Sequence, residues 1–387
     1  MQVNTKEMIL SNPERWVLQF CHSYYGPFTD CARQYAALFK DGGYRVATVY
    51  LSGAPNPEVE RESASDEVIF LGYQPKDIKG LKIRAMLDLR RLAKQRDYAF
   101  CIAHRFKPIY ITLMATRLPV IGIHHSFGVY NRWNRRFPIN RFRSRLLLLG
   151  VSDAIRDEIR ADLGDWPEHR AQRLYNRIDL ASVQADQVER DEARAHLGLP
   201  QDAWVVGNVG RLHPDKDQDT LIRGFAMALP ELPPNSLLAI MGKARLEARL
   251  KALVAELGLN DSVVFLGQVK NGRRYFKAFD VFALSSDHEP FGMVLLEAMA
   301  AGVPLISSDC GGAREIVSGV GPLFPLGDHR ALAECLRNMA ALSEGQLAAC
   351  RQAMLESLHE SYTDEAVRPL FFELLDSSGL CKTVPRS

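Results

Sequence analysis

Two hydrophobic patterns alternate along the chain. Short apolar runs read as strands, and longer stretches with apolar residues every three or four positions read as helices. WVLQFCHSY (16–24) is the first strand, and TDCARQYAALFKDGG follows as a helix with a Thr or Asp N-cap and glycines at its end. YRVATVYL (44–51), EVIFLGY (67–73), YAFCIAH (98–104), PVIGIHHS (119–126) and SRLLLLGVS (144–152) continue the strands. Helical stretches fall at 80–95 and 108–117, and DAIRDEIRADLG forms another, closed by Gly164. The pattern restarts after a polar connection at 179–202, expected to be irregular. AWVVGNVGRL (203–212), SLLAIMG (236–242), SVVFLGQV (262–269), AFDVFALSS (278–286) and GVPLISSDC (302–310) are strands. DQDTLIRGFAMALPEL and ARLEARLKALVAELGL are helices between them. Such alternation predicts an α/β chain with two doubly wound parallel sheets. A ligand cleft is then expected between them, at the C-terminal ends of the strands.

A length of 387 residues suits two domains. The boundaries predicted are 1–178, a linker at 179–202, 203–362, and a C-terminal helix within 363–387 that returns to the first domain. Hydrophobic residues make up 47% and charged ones 24%, as in ordinary globular enzymes. No apolar run approaches the ~20 residues of a membrane span. The N-terminus lacks a basic region followed by an apolar core, so a cytoplasmic location is expected. Seven dispersed cysteines without C-x-x-C spacing argue against a disulfide framework or a zinc site. Net charge is split: residues 1–180 carry 28 Lys+Arg against 19 Asp+Glu, and the remainder 20 against 27. Two halves of opposite sign suit different partners.

HEPFGMVLLEAMAAG (288–302) carries the sharpest chemical question. Pro290 is placed to open a helix, and Gly302 with Pro304 to stop it. The helix is apolar nearly all round, so burial is expected, yet it contains Glu297. A buried carboxylate costs several kcal/mol unless it gains hydrogen bonds, and a helix dipole returns only about 0.3–1 kcal/mol. Glu297 therefore needs donors from backbone, a cation or ligand hydroxyls. GRLHPDK (210–216) puts Arg211 and Lys216 at a strand-to-helix turn, a setting that suits a diphosphate. GIHHSFG (122–128) brings His124 and His125 off a strand end, where either can face the cleft. GGAREIV (311–317) reads as a strand-to-helix turn with Glu315 in the first turn of the helix. No metal is predicted.

Together, GRLHPDKDQDTLIRGF and SSDHEPFGMVLLEAMAAGVPLISSDCGGAREIV resemble the C-terminal domain of retaining glycosyltransferases of the GT-B fold, family 4. The E-x7-E pair Glu289–Glu297 resembles that family's signature. LYNRID (174–179) is similar to its interdomain N-G-I-D, with Arg177 in place of the glycine. The resemblance covers most of the chain and is strongest over 205–325. It implies that Arg211 and Lys216 bind the donor diphosphate and that Glu297 accepts from ribose hydroxyls. Glu289 would meet the transferred sugar, with Phe291, Gly292 and Met293 offering backbone groups. His125 would touch the donor sugar, with His124 as the alternative, and Gly26 would approach the donor from the first loop. No cofactor is implied beyond the substrate, a nucleotide-diphosphate sugar, UDP-linked by preference. A non-catalytic nucleotide-sugar scaffold, or a GT-B enzyme of another reaction type such as an epimerase, stays open beside the retaining transfer of a hexose.

NRWNRRFPINRFRSR (131–145) has six arginines, Arg132, Arg135, Arg136, Arg141, Arg143 and Arg145, three aromatic residues and no acid. KDIKGLKIRAMLDLRRLAKQR (76–96) adds eight basic residues against two acidic ones. No nucleic-acid recognition motif accompanies them, so no nucleic-acid partner is expected. The basic surface instead predicts an anionic membrane face, or an acidic glycan or glycolipid acceptor of the lipopolysaccharide type.

Overall fold

The computed structural model describes residues 15–25, 28–40 and 42–380. Strands β1 (Arg15–Cys21), β2 (Tyr44–Tyr50), β3 (Glu67–Phe70), β4 (Tyr98–His104), β5 (Val120–His124), β6 (Leu146–Gly150) and β7 (Ala171–Arg173) form one parallel sheet in the order β3-β2-β1-β4-β5-β6-β7. Strands β8 (Val205–Val209), β9 (Leu237–Met241), β10 (Val263–Gly267), β11 (Val281–Leu284), β12 (Leu305–Ser308) and β13 (Leu323–Phe324) form a second, β10-β9-β8-β11-β12-β13. Every residue of β5 and β6 is buried, which is why these strands read as unbroken apolar runs.

The first sheet carries α1 (Phe28–Ala37), α2 (Pro57–Glu62), α3 (Ile83–Leu92), α4 (Phe106–Ala115), α5 (Trp133–Arg141) and α6 (Asp153–Leu163). Next come α7 (Leu180–Ala185), α8 (Arg190–Leu197), α9 (Gln218–Ala228), α10 (Glu247–Glu256), α11 (Met293–Ala300) and α12 (Gly311–Val317). The chain ends with α13 (His329–Ala340), α14 (Glu344–Ser361) and α15 (Asp364–Ser377). No described helix is long and apolar enough to cross a membrane.

Three expectations are corrected. The 179–202 stretch is not irregular: α7 and α8 occupy it, with Asp179 capping α7 through a bond from Ser182 N at 3.0 Å. Its polar sequence hid a core role for Arg194, which is fully buried, pairs with Asp280 at 2.8 Å and donates to the carbonyls of Ala278, Pro200, Gln201 and Ala203. Helix α11 begins at Met293 rather than Pro290, because Gly292 takes φ 107°, a left-handed conformation that ends the preceding turn. Glu315 lies beyond the first turn of α12 and faces the other sheet. Its two carboxylate oxygens accept from the backbone N–H groups of Asp153 and Ala154 at 2.8 and 3.0 Å. With Ser152 accepting from Ile155 N, the free N–H groups at the start of α6 are met from both sides of the cleft.

The chain crosses between the sheets twice, and the crossings touch. Ile178 N donates to Tyr362 O at 3.0 Å, and Tyr175, Tyr362 and Phe291 form an aromatic cluster with centroids 5.1–6.0 Å apart. Helix α15 packs on α1, placing Phe371 5.7 Å from Phe39 and Asp364 between Arg33 and Arg177.

Candidate active site

The second sheet delivers its strand ends to a cleft of about 1030 Å³. Gly210 and Arg211 leave β8, and Gly242 and Lys243 leave β9. These two turns approach so closely that a Cβ on Gly242, at φ 151°, would overlap the Gly210 carbonyl. Gly242 must therefore stay small, leaving backbone exposed to whatever lies above. Met293 and Glu297, one turn apart on α11, form part of the floor. Asp30 and Arg33 of α1 face them from the first sheet. Four cations (Arg33, Arg211, Lys243, Arg273) and four carboxylates (Asp30, Glu62, Asp179, Glu297) line this space.

Glu297 is the electrostatic outlier. Burial pushes its carboxyl up to about 7 from an ordinary 4.5, with Arg273 drawing it down and Asp30 adding to the rise. Among the described residues no side chain or backbone group donates to it, so its oxygens are available to a ligand. Arg211 is loosely held: its side chain is 70% exposed and Asp215 lies 3.6 Å away.

Glu289 lines a separate cavity of about 480 Å³, with Phe127, Gly128, Asn131, Glu158, Asp287, His288 and Gly311. Lys216, expected at the donor diphosphate, places Nζ 2.5 Å from Glu289 Oε2, where Ser286 Oγ also donates at 3.3 Å. The backbone holds the turn: Gly312 N donates to Glu289 O at 2.9 Å. Phe291 turns its ring into the aromatic cluster at the crossings, so its side chain is an anchor. Gly292 adopts the left-handed geometry that starts α11.

The two histidines separate cleanly. His124 is fully buried and bonds Tyr130 Oη through Nε2 at 2.9 Å. His125, half-buried just past β5, faces His104 and Cys31. Burial lowers both imidazoles to about 3, so both are neutral at neutral pH. His125 is not among the residues lining either cavity, whereas Phe127 and Gly128 are. Gly26 lies outside the described residues.

The arginines of 131–145 divide in two. Arg145 donates to the carbonyls of Thr116, Leu118 and Leu113, Arg135 to Val129 O, and Arg136 to Tyr130 O and Asn131 O. These three tie loops together, contrary to the expectation that all six form an outer surface. Arg132, Arg141 and Arg143 are exposed. Among the described residues no group of three or more His, Cys, Asp or Glu is placed to hold a metal ion.

Lys243, Arg273, Asp30 and Arg33 were missed from sequence. Lys243 was findable, since it follows the C-terminal end of a parallel strand, where open α/β sheets bind ligands. Arg273 carries no motif; only the fold brings it near Glu297.

Residues 189–352 match the family model for glycosyl transferases group 1. The chain is 33% identical over 174 residues to an uncharacterized glycosyltransferase of Methanocaldococcus jannaschii, covering 44% of each chain. It is 30% identical over 190 residues to the lipopolysaccharide core biosynthesis glycosyltransferase LpsE of Rhizobium meliloti, covering 48% of this chain and 53% of the relative. The matched stretch thus spans about half the length of these curated relatives, or less. A crystal structure of HepE from Anabaena in complex with UDP and glucose superposes with a TM-score of 0.75 at 22% identity, covering 93% of this chain and 99% of that one. The fold is therefore that of GT-B glycosyltransferases, and the region around the second sheet is similar to group 1 glycosyltransferases.

Proposed function

We propose that this chain is a retaining glycosyltransferase that moves a hexose from a nucleotide-diphosphate sugar, UDP-linked by preference, to a hydroxyl of a lipid-linked or lipopolysaccharide-type glycan. The observation that carries this reading is the division of the two glutamates. Glu297 lines the larger cleft with no donor among the described residues, and Glu289 lines the smaller cavity, eight residues away. In this reading the nucleotide occupies the larger cleft, with ribose hydroxyls donating to Glu297. The diphosphate lies over Gly210, Gly242, Arg211 and Lys243, and the sugar points toward Glu289. A volume of about 1030 Å³ is at the upper end for small-ligand sites, which suits so large a donor.

The chemistry asked of the protein is electrostatic. The C1–O bond to the diphosphate breaks, the acceptor oxygen bonds C1 on the same face, and its proton passes to a departing phosphate oxygen. Arg211 and Lys243 offset the charge that develops on the leaving group, so no metal is invoked. Glu289, held by Lys216, positions the sugar. The complex of HepE with UDP and glucose supports the donor class, and the name of LpsE supports the acceptor class.

A membrane face belongs to the same proposal. Trp133 (78% exposed) and Phe137 project from α5, whose sequence neighbourhood holds the exposed Arg132, Arg141 and Arg143, and Leu81, Ile83 and Leu87 are exposed on α3 and the residues before it. Aromatic and aliphatic side chains flanked by cations suit an anionic bilayer surface, at about 1 kcal/mol per cation. Salt-sensitive flotation with anionic liposomes is expected, and its absence would remove this part.

Nucleotide release from a panel of nucleotide sugars, with and without a lipid-linked glycan acceptor, tests the main reading. Acceptor-dependent release that disappears in Glu289→Ala supports transfer, and a product keeping the donor's anomeric configuration supports retention. Binding without turnover would indicate a scaffold, and sugar isomerisation without acceptor an epimerase.

A further inference from the structure

Two cations stand in strained backbone at helix starts on the first sheet. Lys82, just before α3, takes φ 59°, and Arg105, between β4 and α4, takes φ 73°. Among the described residues other than glycine, positive φ is otherwise found at Asp217, Asn235 and Asn271, which tolerate it well, and at Ala64. A long cationic side chain gains nothing from such backbone by itself, so its placement there calls for a functional reason. The two cations belong to a cluster. Helix α4 packs against both α3 and α5. Lys82 Nζ lies 5.2 Å from the centre of the Tyr110 ring, and Tyr110 stacks on Phe106 with centroids 6.1 Å apart. The Arg135 guanidinium in turn lies 5.2 Å from the centre of the Phe106 ring.

Lys107 stands among them, and Lys82, Arg105, Lys107 and Arg135 are all half-buried. Burial lowers the pKa of both lysines, and repulsion adds to it: Lys107 acts on Lys82, and Arg105 and Arg135 act on Lys107. No carboxylate answers this charge. Among the described residues Lys82, Lys107 and Arg135 enter no ion pair; Lys82 donates to Gly80 O and Arg135 to Val129 O. Helices α3, α4 and α5 hold one acidic residue between them, Asp88, which accepts from Tyr73 and Arg91 instead. At the end of β1, His22 Nδ1 is buried with no hydrogen-bond partner among the described residues. Burial, then the charges of Lys107 and Arg105, lower the pKa of its imidazole. Like charges gathered over aromatic faces rather than carboxylates repel one another until an anion sits among them.

We infer that Lys82, Arg105, Lys107 and Arg135 form a binding site for a phosphoryl group, separate from the donor cleft. None of the four lines the larger cleft. A phosphate monoester carries about −1.5 to −2 charge at neutral pH and three strong acceptor oxygens, so it engages several cations at once where a carboxylate cannot. Lysine meets it as a point charge and arginine as a planar fork. Arg105 leaves the C-terminal end of β4, and Arg135 holds the carbonyl of Val129, the residue after Gly128 of the smaller cavity. The phosphoryl group is therefore assigned to an acceptor whose hydroxyl reaches that cavity. This assignment to the acceptor rests on the proposed function; the anion site does not.

The probe is inorganic phosphate, followed by ³¹P NMR on the full chain with UDP in excess to occupy the donor cations. Saturable broadening of the phosphate signal is expected. Lys107→Met should weaken binding about tenfold, the order for losing one charge-assisted hydrogen bond. Lys82→Gly should weaken it similarly while raising the melting temperature, because glycine relieves the left-handed backbone; a purely structural lysine would lower that temperature. Arg132→Gln removes an exposed cation nearby in sequence and should leave phosphate binding within about twofold of the parent. An equal loss in Arg132→Gln, unchanged binding in both lysine variants, or no binding by the parent would overturn the inference. Flotation with phosphatidylglycerol vesicles separates the sources of the phosphate. If the parent binds these vesicles but no free phosphate, and Lys107→Met loses the vesicles, the cations belong to the membrane face and the inference falls. Sugar transfer should be about tenfold faster to a phosphorylated glycan acceptor than to the same acceptor after phosphatase treatment. Phosphate binding in a chain that transfers no sugar upholds the site and refutes the proposed function. Transfer indifferent to acceptor phosphate, with no phosphate bound, refutes the site and leaves the proposed function standing.

Discussion

Lys216 Nζ lies 2.5 Å from Glu289 Oε2, with both side chains largely buried. The cation expected at a diphosphate and the carboxylate expected at a sugar are thus one pair. Its consequence is coupling: neither residue can be removed without leaving the other poorly solvated. Glu289→Gln and Lys216→Met should each destabilise the protein by about 3 kcal/mol, the order for breaking a buried pair. The double variant should lose less than the sum, and thermal melting of all four proteins checks this. In transfer assays Glu289→Ala should mainly slow turnover, whereas Lys216→Met should disturb turnover through Glu289.

Glu297 predicts a pH dependence of opposite character. Its carboxyl rises to about 7 on folding from an ordinary 4.5, so between those values the native state holds a proton that the unfolded state has lost. Stability from this group is present below pH 4.5 and is lost as pH rises through about 7. Glu297→Gln, which cannot titrate, should gain stability relative to the parent over that window. Donor affinity should run the other way. The ionised carboxylate is the better acceptor, so nucleotide binding should strengthen as pH rises through 7 in the parent and stay flat in Glu297→Gln. Calorimetric titration with UDP at several pH values measures both halves.

Much of this architecture was legible in the residues. Fully buried parallel strands announce themselves as apolar runs, and β5, β6, β9 and β12 stood where VIGI, LLLL, LLAI and PLIS suggested. Strands of two or three residues such as β7 and β13 carry too little pattern to be seen. Met293 and Glu297, four residues apart on α11, share one helix face at the cleft. Their environment was not legible, because Arg273, Asp30 and Lys243 arrive from distant segments. Charge alone also misled: Arg145, Arg177 and Arg194 look like surface residues in sequence, yet each donates to backbone carbonyls inside the fold.

Glu315 predicts an effect across the cleft. Its carboxylate accepts two backbone N–H groups at the start of α6, a helix belonging to the other sheet. Glu315→Ala should cost about 1–2 kcal/mol, comparable to losing a helix cap. The amides of Asp153 and Ala154 should then exchange with deuterium faster, while those near the C-terminal end of α6 change little. Equal acceleration along the whole helix would point to general destabilisation rather than a lost latch.

Asp364 predicts the sharpest order among the structural variants. One oxygen pairs with Arg177 Nε at 2.7 Å and the other with Arg33 Nη1 at 3.1 Å. Arg177 is fully buried and also donates to Gln34 O, tying the first crossing to α1, and α15 follows the second crossing directly. Asp364→Ala leaves a guanidinium buried without its counter-ion, a loss of about 3–5 kcal/mol. Arg33→Ala removes a partner that is 19% exposed and leaves the Arg177 pair intact, so it should cost about 1 kcal/mol. Melting temperatures should therefore fall much further for Asp364→Ala than for Arg33→Ala. Because Arg33 also lines the cleft, its variant should weaken nucleotide binding out of proportion to its stability, which separates the two residues in a single pair of measurements.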